Sequence, residues 1–422
     1  MTTEDTAAQA ATVAQRRAEV ARIVAGLEQR FDREGNPQGP RRSLLNLERI
    51  IGTDPYYHSR LRYNGLAEVV EWEGRRMRDD HITWIRLAIA REYGPQYGAE
   101  DVQAICVQVA RQATYHPVTR YLGGLMWDRV PRISGFLSRY LGVADTPLHR
   151  AISRRWFISC VARAMGQGER PVKVDTVLIL AGRQGARKST AFRTLAGDDW
   201  FSDTALDIRN KDAYQSIRGV WLYELAELAA TRPRDAESVK AFLSAPTDRF
   251  RPPYGRNVVE SHRQCVFVGT TNEATFLSDP TGARRFWPVS VGTIDIDAIR
   301  HDRGLLWAEA VEAYRAGEPW WLDADEDRAL ADAQEQYQHE DPWLVTLDRW
   351  MASAENRAQA ARGMRVGELL TQALRMDEDR QKKGDEMRLG AVLQGAGWSK
   401  RQRTRDGHRH RLWFPPSPAP AR

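Results

Sequence analysis

The residues that could do chemistry cluster first at Gly182-Arg-Gln-Gly-Ala-Arg-Lys-Ser-Thr190. A glycine-rich loop whose N–H groups converge, followed by a lysine and a hydroxyl, suits a nucleotide's phosphates: the lysine neutralises β- and γ-oxygens and the hydroxyl holds magnesium. Gly182, Arg183, Gln184, Gly185, Ala186, Arg187, Lys188, Ser189 and Thr190 are therefore the ATP-binding candidates. The usual spacing, G-x-x-x-x-G-K-[ST], has glycine where this chain has Arg187. A positive φ there would strain the arginine by about 1 kcal/mol, and its guanidinium can either reach the phosphates or obstruct them. Glu224 and Glu227 follow a short apolar run; one could hold magnesium with Ser189 while the other polarises the attacking water, and the residues leave open which does which. Asn272 ends Gly269-Thr-Thr-Asn272, where an amide can orient water or sense the γ-phosphate. Arg284 and Arg285 stand just before another apolar run, the position of an arginine finger that serves a neighbouring subunit.

Two basic segments point to a polyanion. Thr247 to Arg256 sets Arg249, Arg251 and Arg256 around Tyr254 at a Pro/Gly turn, a layout for single-stranded DNA with a stacked base. The C-terminal end places Lys400, Arg401, Arg403, Arg405 and Arg409 on a hairpin with an Asp-Gly turn, suited to duplex phosphates. The charge distribution agrees: residues 351–422 carry 15 Lys and Arg against 8 Asp and Glu, while the whole chain of 422 residues is only +6.

The elements needed to hold these groups are legible in outline. Thr176 to Ala181 reads as a buried strand before the glycine loop, and Ala191 to Ala196 as the helix after it. Further strands are expected at 219–223, 265–269 and 286–291, alternating with helical stretches such as 236–243. That alternation predicts an α/β sheet with its working residues at the strand C-termini. Residues 5–31 read as one helix, 44–168 as mostly helical, and 366–374 and 386–393 as short helices before a hairpin of 398–405 and 408–414, the order of a winged helix. The expected divisions are an N-terminal helix and linker (1–42), an α-rich domain (43–170), the P-loop core (171–322), a helical linker (323–350), a winged-helix-like basic domain (351–416) and a Pro-rich tail (417–422).

Composition excludes other classes. The longest apolar run, Val177 to Ala181, is far short of the ~20 residues a membrane span needs. The acidic N-terminus is no signal peptide, so a cytoplasmic location and no membrane partner are expected. Cys106, Cys160 and Cys265 are too dispersed for a disulfide framework or a zinc ribbon.

Over roughly residues 44–322 the chain resembles the virulence-associated E family. The resemblance rests on Leu44-Leu-Asn-Leu, His116-Pro-Val, Tyr121-Leu-Gly-Gly-Leu-Met-Trp-Asp128, the phosphate loop, Glu224-Leu-Ala-Glu-Leu, Lys240-Ala-Phe-Leu-Ser, Arg251-Pro-Pro-Tyr-Gly-Arg256, Gly269-Thr-Thr-Asn272 and Asp279-Pro-Thr-Gly-Ala-Arg-Arg-Phe-Trp-Pro288. That family's ATPase is similar to the superfamily 3 helicases of phages, plasmids and mobile islands. The resemblance implies an AAA+-like P-loop NTPase core that hydrolyses ATP with Mg²⁺, in a homo-oligomer, a hexameric ring, that moves along single- and double-stranded DNA during replication. It also implies a finger at Arg284 or Arg285 and a DNA-contacting hairpin at 248–256. Arg187 departs from the family's loop and bears on the ATPase rate. The stretch before the core is short for a primase domain, so no priming activity is expected. The rival readings are a DNA-binding initiator or regulator with a vestigial nucleotide site, and an ATP-driven defence or remodelling NTPase.

Overall fold

The computed structural model describes residues 3–166, 168, 170–208, 210, 213–226, 236–250, 258–272, 283–337, 342–405 and 408–416. They form two compact units, a large one drawn from residues 1–228, 237–272 and 285–327, and a second drawn from 229–236, 273–284 and 328–422.

At the centre of the large unit is a five-stranded parallel sheet: β1 (Val177–Ala181), β2 (Phe201–Ser202), β3 (Leu222–Ala226), β4 (Val266–Thr271) and β5 (Phe286–Ser290). The strands lie in the order β5-β1-β4-β3-β2. Every residue of β1 and of β4 is buried, as expected for near-continuous apolar strands covered on both faces. The β3 strand starts three residues later than the apolar run at 219–223 suggests. Glu224 is therefore inside the strand, not after it, because hydroxyl partners described below make its burial tolerable.

Helix α1 (Lys188–Ala196) begins inside the glycine loop and buries Ala191, Phe192, Leu195 and Ala196. Its C-terminal carbonyls are capped from helix α2 (Ile296–Arg315): Arg303 donates to Leu195 O at 2.8 Å and Ala196 O at 2.6 Å, and Trp307 Nε1 donates to Leu195 O at 2.9 Å. A cation there also suits the helix dipole. Trp307 meets Trp221 with ring centroids 4.4 Å apart and Phe157 at 4.9 Å, so the helix Pro147–Met165 packs into the core of the parallel sheet although the sequence groups it with the preceding domain.

The N-terminal portion is not purely helical. Leu61–Asn64, Val69–Trp72, Arg75–Arg76 and Thr114–Tyr115 make a four-stranded sheet backed by helices Leu44–Thr53, Asp79–Tyr93 and Ala99–Gln112 around one apolar cluster. The expected α-rich domain is thus α+β. The first helix likewise ends at Ala25, and Gln29–Phe31 pairs with Pro37–Pro40 as a small antiparallel ladder.

In the C-terminal unit, helices Pro342–Met351, Ala354–Ala361, Val366–Gln372 and Lys383–Gly395 precede strands Ser399–Arg405 and His408–Phe414, and Met364 bridges to Trp413. Leu347, Leu369, Leu370, Leu389, Leu393 and Trp413 share its core. The helix at 342 therefore belongs to this unit, and the expected linker of 323–350 overlaps it.

Candidate functional site

The candidate nucleotide site lies at the C-terminal edge of the sheet, where β1 runs into the glycine loop and β3 and β4 end alongside. Gly185 has φ +80° and Arg187 has φ +63°, ψ +27°, so the residue replacing the last loop glycine does hold a left-handed backbone. The arginine, without the freedom of glycine, carries strain of about 1 kcal/mol there. The side chains of Arg183, Gln184, Arg187 and Thr190 are exposed, while Gly182 and Ala186 are half-buried. Gly182 has no room for a side chain, since an added Cβ would lie 2.9 Å from Val291 Cγ2.

Lys188 is 7% exposed and donates to Gly182 O at 2.8 Å, Arg183 O at 3.0 Å and Asn272 Oδ1 at 2.9 Å. Burial holds its ammonium below the usual lysine range, and the charge of Glu224 opposes that shift. Asn272, at the end of β4, thus touches the loop lysine directly. Ser189 Oγ donates to Glu224 Oε1 at 2.8 Å, and Thr270 on β4 donates to the same oxygen. Glu224 is 2% exposed, and its other oxygen, Oε2, is buried with no hydrogen-bond partner among the described residues. An orphaned buried carboxylate oxygen costs several kcal/mol unless something electropositive satisfies it.

That orphan tests the expected magnesium. The Ser189 hydroxyl spends its proton on Glu224 and keeps its lone pairs, and Glu224 offers a free anionic oxygen beside it; hard oxygen donors of this kind fit Mg²⁺, which binds through one or two protein oxygens and keeps water and phosphate as further ligands. No group of three or more His, Cys, Asp or Glu able to hold a metal alone is present among the described residues.

The other candidates separate from this cluster. Glu227 lies outside the described residues, as do Arg251, Tyr254 and Arg256. The strands that carry their segment are present: Thr247–Phe250 pairs with Val259–His262, with Arg249 opposite Glu260 and ion-paired to it at 2.6 Å. The root of this hairpin is fixed by a pair that sequence reading missed, the fully buried Arg263 against Asp248. Arg263 also donates to Phe242 O and lies over the Phe242 ring at 4.5 Å.

Arg284 is exposed, and Arg285 donates to Ser244 Oγ at 2.8 Å and sits 3.9 Å from Asp175. Register locates Arg285 relative to the glycine loop: Phe286 is opposite Val177 and Ser290 opposite Ala181. Arg285 is at the N-terminal edge of the sheet, and five residues of β5, about 16 Å at ~3.3 Å each, separate it from the edge bearing the loop.

On the C-terminal hairpin the pairing runs from Ser399 opposite Phe414 to Arg405 opposite His408. Alternation along the strand puts Arg401 and Arg403 on one face and Lys400 and Arg409 on the other. Lys400, Arg401, Arg403 and Arg409 are exposed and form no ion pair among the described residues; Lys400 lies over Trp413 at 5.4 Å and Arg401 over Phe414 at 5.5 Å.

A parallel α/β sheet carrying a glycine loop, a lysine and a buried acid at one edge defines a P-loop-like core. Residues 122–339, just over half the chain, match the virulence-associated protein E-like domain, and the chain belongs to that family. Among solved structures it is similar to the apo NrS-1 C-terminal region, at 12% identity and a TM-score of 0.48 over 86% of this chain and 100% of that one. A second structure, the A form apo NrS-1 C-terminal region, aligns at 11% identity and a TM-score of 0.47 over 84% and 96%. No curated protein matches. Among the described residues no helix is long and apolar enough to cross a membrane.

Proposed function

We propose that this chain is an ATP-driven DNA helicase or translocase of the superfamily 3 type, serving replication of a phage, plasmid or mobile island. The observation that carries the reading is the joint placement of Lys188 on Asn272 and of Ser189 on Glu224 at one edge of a β5-β1-β4-β3-β2 sheet. In this reading the N–H groups of 182–189 receive the phosphates of ATP, and Lys188 leaves its carbonyl partners for the β- and γ-oxygens. Ser189 and Glu224 hold Mg²⁺, which when bound supplies positive charge to the leaving phosphates. Asn272, already hydrogen-bonded to the lysine, is positioned to report on the γ-phosphate or orient water.

The offset of Arg285, about 16 Å at ~3.3 Å per strand residue, supports the action of Arg285, or of Arg284, on a neighbouring subunit's ATP, hence a closed ring, a hexamer in this reading. The 248–256 hairpin contacts single-stranded DNA. The C-terminal order of helices, the bridge at 364, two further helices and a hairpin supports a winged helix, with duplex DNA held by its basic strands. The location is the cytoplasm.

ATP hydrolysis by the purified protein with and without single-stranded DNA, alongside its mass in solution, tests this. DNA-stimulated turnover by a ring, abolished in Lys188→Ala with the fold intact, is expected. Equal turnover in mutant and parent ends the P-loop reading. Turnover indifferent to DNA indicates a remodelling NTPase, and DNA binding without turnover an initiator whose nucleotide site is vestigial.

A further inference from the structure

Glu224 is held asymmetrically. Its Oε1 takes two hydroxyl donors, Ser189 from α1 and Thr270 from β4, while Oε2 takes none among the described residues and is buried. Thr270 stands two residues beyond the position on β4 that pairs with Glu224, on the same side of the sheet, which is why its hydroxyl reaches the carboxylate. It is itself buried, at 9% exposure, so water does not compete for the bond. We infer that Thr270 is a positioning residue: it fixes the Glu224 carboxylate so that Oε2 is the oxygen presented to the magnesium site. The inference rests on the nucleotide-site reading above and adds to it a residue that touches neither phosphate nor metal.

The two donors are not equivalent. Ser189 stands in the first turn of α1, directly after the glycine loop, and in the proposed reading is itself a ligand of the metal, whereas Thr270 belongs to the central strand β4, paired on both sides with β1 and β3. Only the threonine can set the carboxylate's orientation independently of the nucleotide. Removing an outer hydrogen bond of this kind weakens metal binding by roughly 10–100-fold in other sites.

The test is binding rather than turnover. A fluorescent ATP analogue is titrated onto the intact protein in EDTA and then with increasing Mg²⁺, and the Mg²⁺ concentration that half-restores full affinity is read. Thr270→Val, nearly the same shape, should raise that concentration about 10–100-fold and leave affinity in EDTA unchanged, and Thr270→Ser should return it to within about threefold of the parent. Thr270→Ala serves if the valine variant melts early. An unchanged Mg²⁺ requirement in the valine and alanine variants overturns the role of Thr270 while leaving the nucleotide site standing. Loss of affinity in EDTA as well overturns it in favour of a structural role. A parent protein that binds nucleotide without any Mg²⁺ dependence, or not at all, overturns both the inference and the reading beneath it.

Discussion

The glycine-loop edge of the sheet and the C-terminal hairpin both bring together residues of the right chemical type, but they do so by opposite physics. At the sheet edge, Lys188, Ser189, Glu224, Thr270 and Asn272 are brought from one loop and two strands into a network of which the lysine and the acid are almost wholly buried. Burying charge is costly unless partners are supplied, so such a cluster persists only where the whole fold is arranged around it. On the hairpin, Lys400, Arg401, Arg403 and Arg409 face solvent without ion pairs among the described residues, and nothing but their sign and spacing marks a partner. The first region speaks through geometry and the second through charge alone, so they must fail differently when altered.

The largest expected effect belongs to the first. In the ring reading, Arg285→Ala loses ~10³–10⁵ in turnover, about 4–7 kcal/mol of transition-state stabilisation, yet binds nucleotide at its own loop. Arg284 is the alternative finger. Lys188→Ala protein keeps a sound finger and Arg285→Ala a sound loop, so mixed rings should regain activity where an intact finger abuts an intact loop. Inactive mixtures of subunits shown to exchange would remove the trans-acting finger. They would also return the loss in Arg285→Ala to its contacts with Ser244 and Asp175.

The hairpin should show a graded loss. The register divides four of its cations, so a duplex lying against one face meets either Arg401 and Arg403 or Lys400 and Arg409. Replacing either pair with alanine should flatten log K against log salt by up to ~2 units at ~0.9 per phosphate contact. Only one of the two sets should change the slope if the hairpin lies flat on DNA; equal partial changes would mean that it inserts edge-on. No change in either set would leave the patch a solvated surface.

What could be read from residue order follows the same contrast. The strand–loop–helix of 176–196 is plain because an apolar run, glycines and a lysine are contiguous. Glu224 was identifiable as a candidate, but its strand was displaced by three residues, since periodicity scores a buried glutamate as polar and cannot see the Ser189 and Thr270 hydroxyls that satisfy it. Thr270 had a signal, a hydroxyl two residues before Asn272 on the same side of a strand, yet nothing local says that it faces β3. The N-terminal sheet was hidden because its strands are two to four residues long and mixed in character, as in Leu61-Arg-Tyr-Asn64, and are made strands by pairing across as many as 51 positions, Tyr63 with Thr114 and Asn64 with Tyr115. The buried Arg263–Asp248 pair likewise depends on chain folding back across a hairpin. Basic residues on the C-terminal hairpin needed no such closure to be found, and for that reason the structure adds only their division into two faces.

Arg187 lies where the two kinds of evidence meet, a free surface cation built into the buried site's loop. Its φ of +63° is a conformation that glycine takes without strain, and the side chain is exposed with no hydrogen bond at the helix cap. Arg187→Gly should relieve about 1 kcal/mol of strain and return part of that as lost stiffness of the unfolded chain, so thermal melting should rise by no more than a few degrees. Strained residues cluster at functional sites, and in the nucleotide-site reading Arg187 is a second cation for the phosphates beside Lys188. Turnover should therefore fall by about two- to fivefold, the scale of an exposed charge interaction of up to about 1 kcal/mol, and the deficit should shrink as salt is added. A glycine variant that turns over faster than the parent would show that Arg187 is strain and nothing more, and would locate the whole phosphate-binding charge of the loop on Lys188.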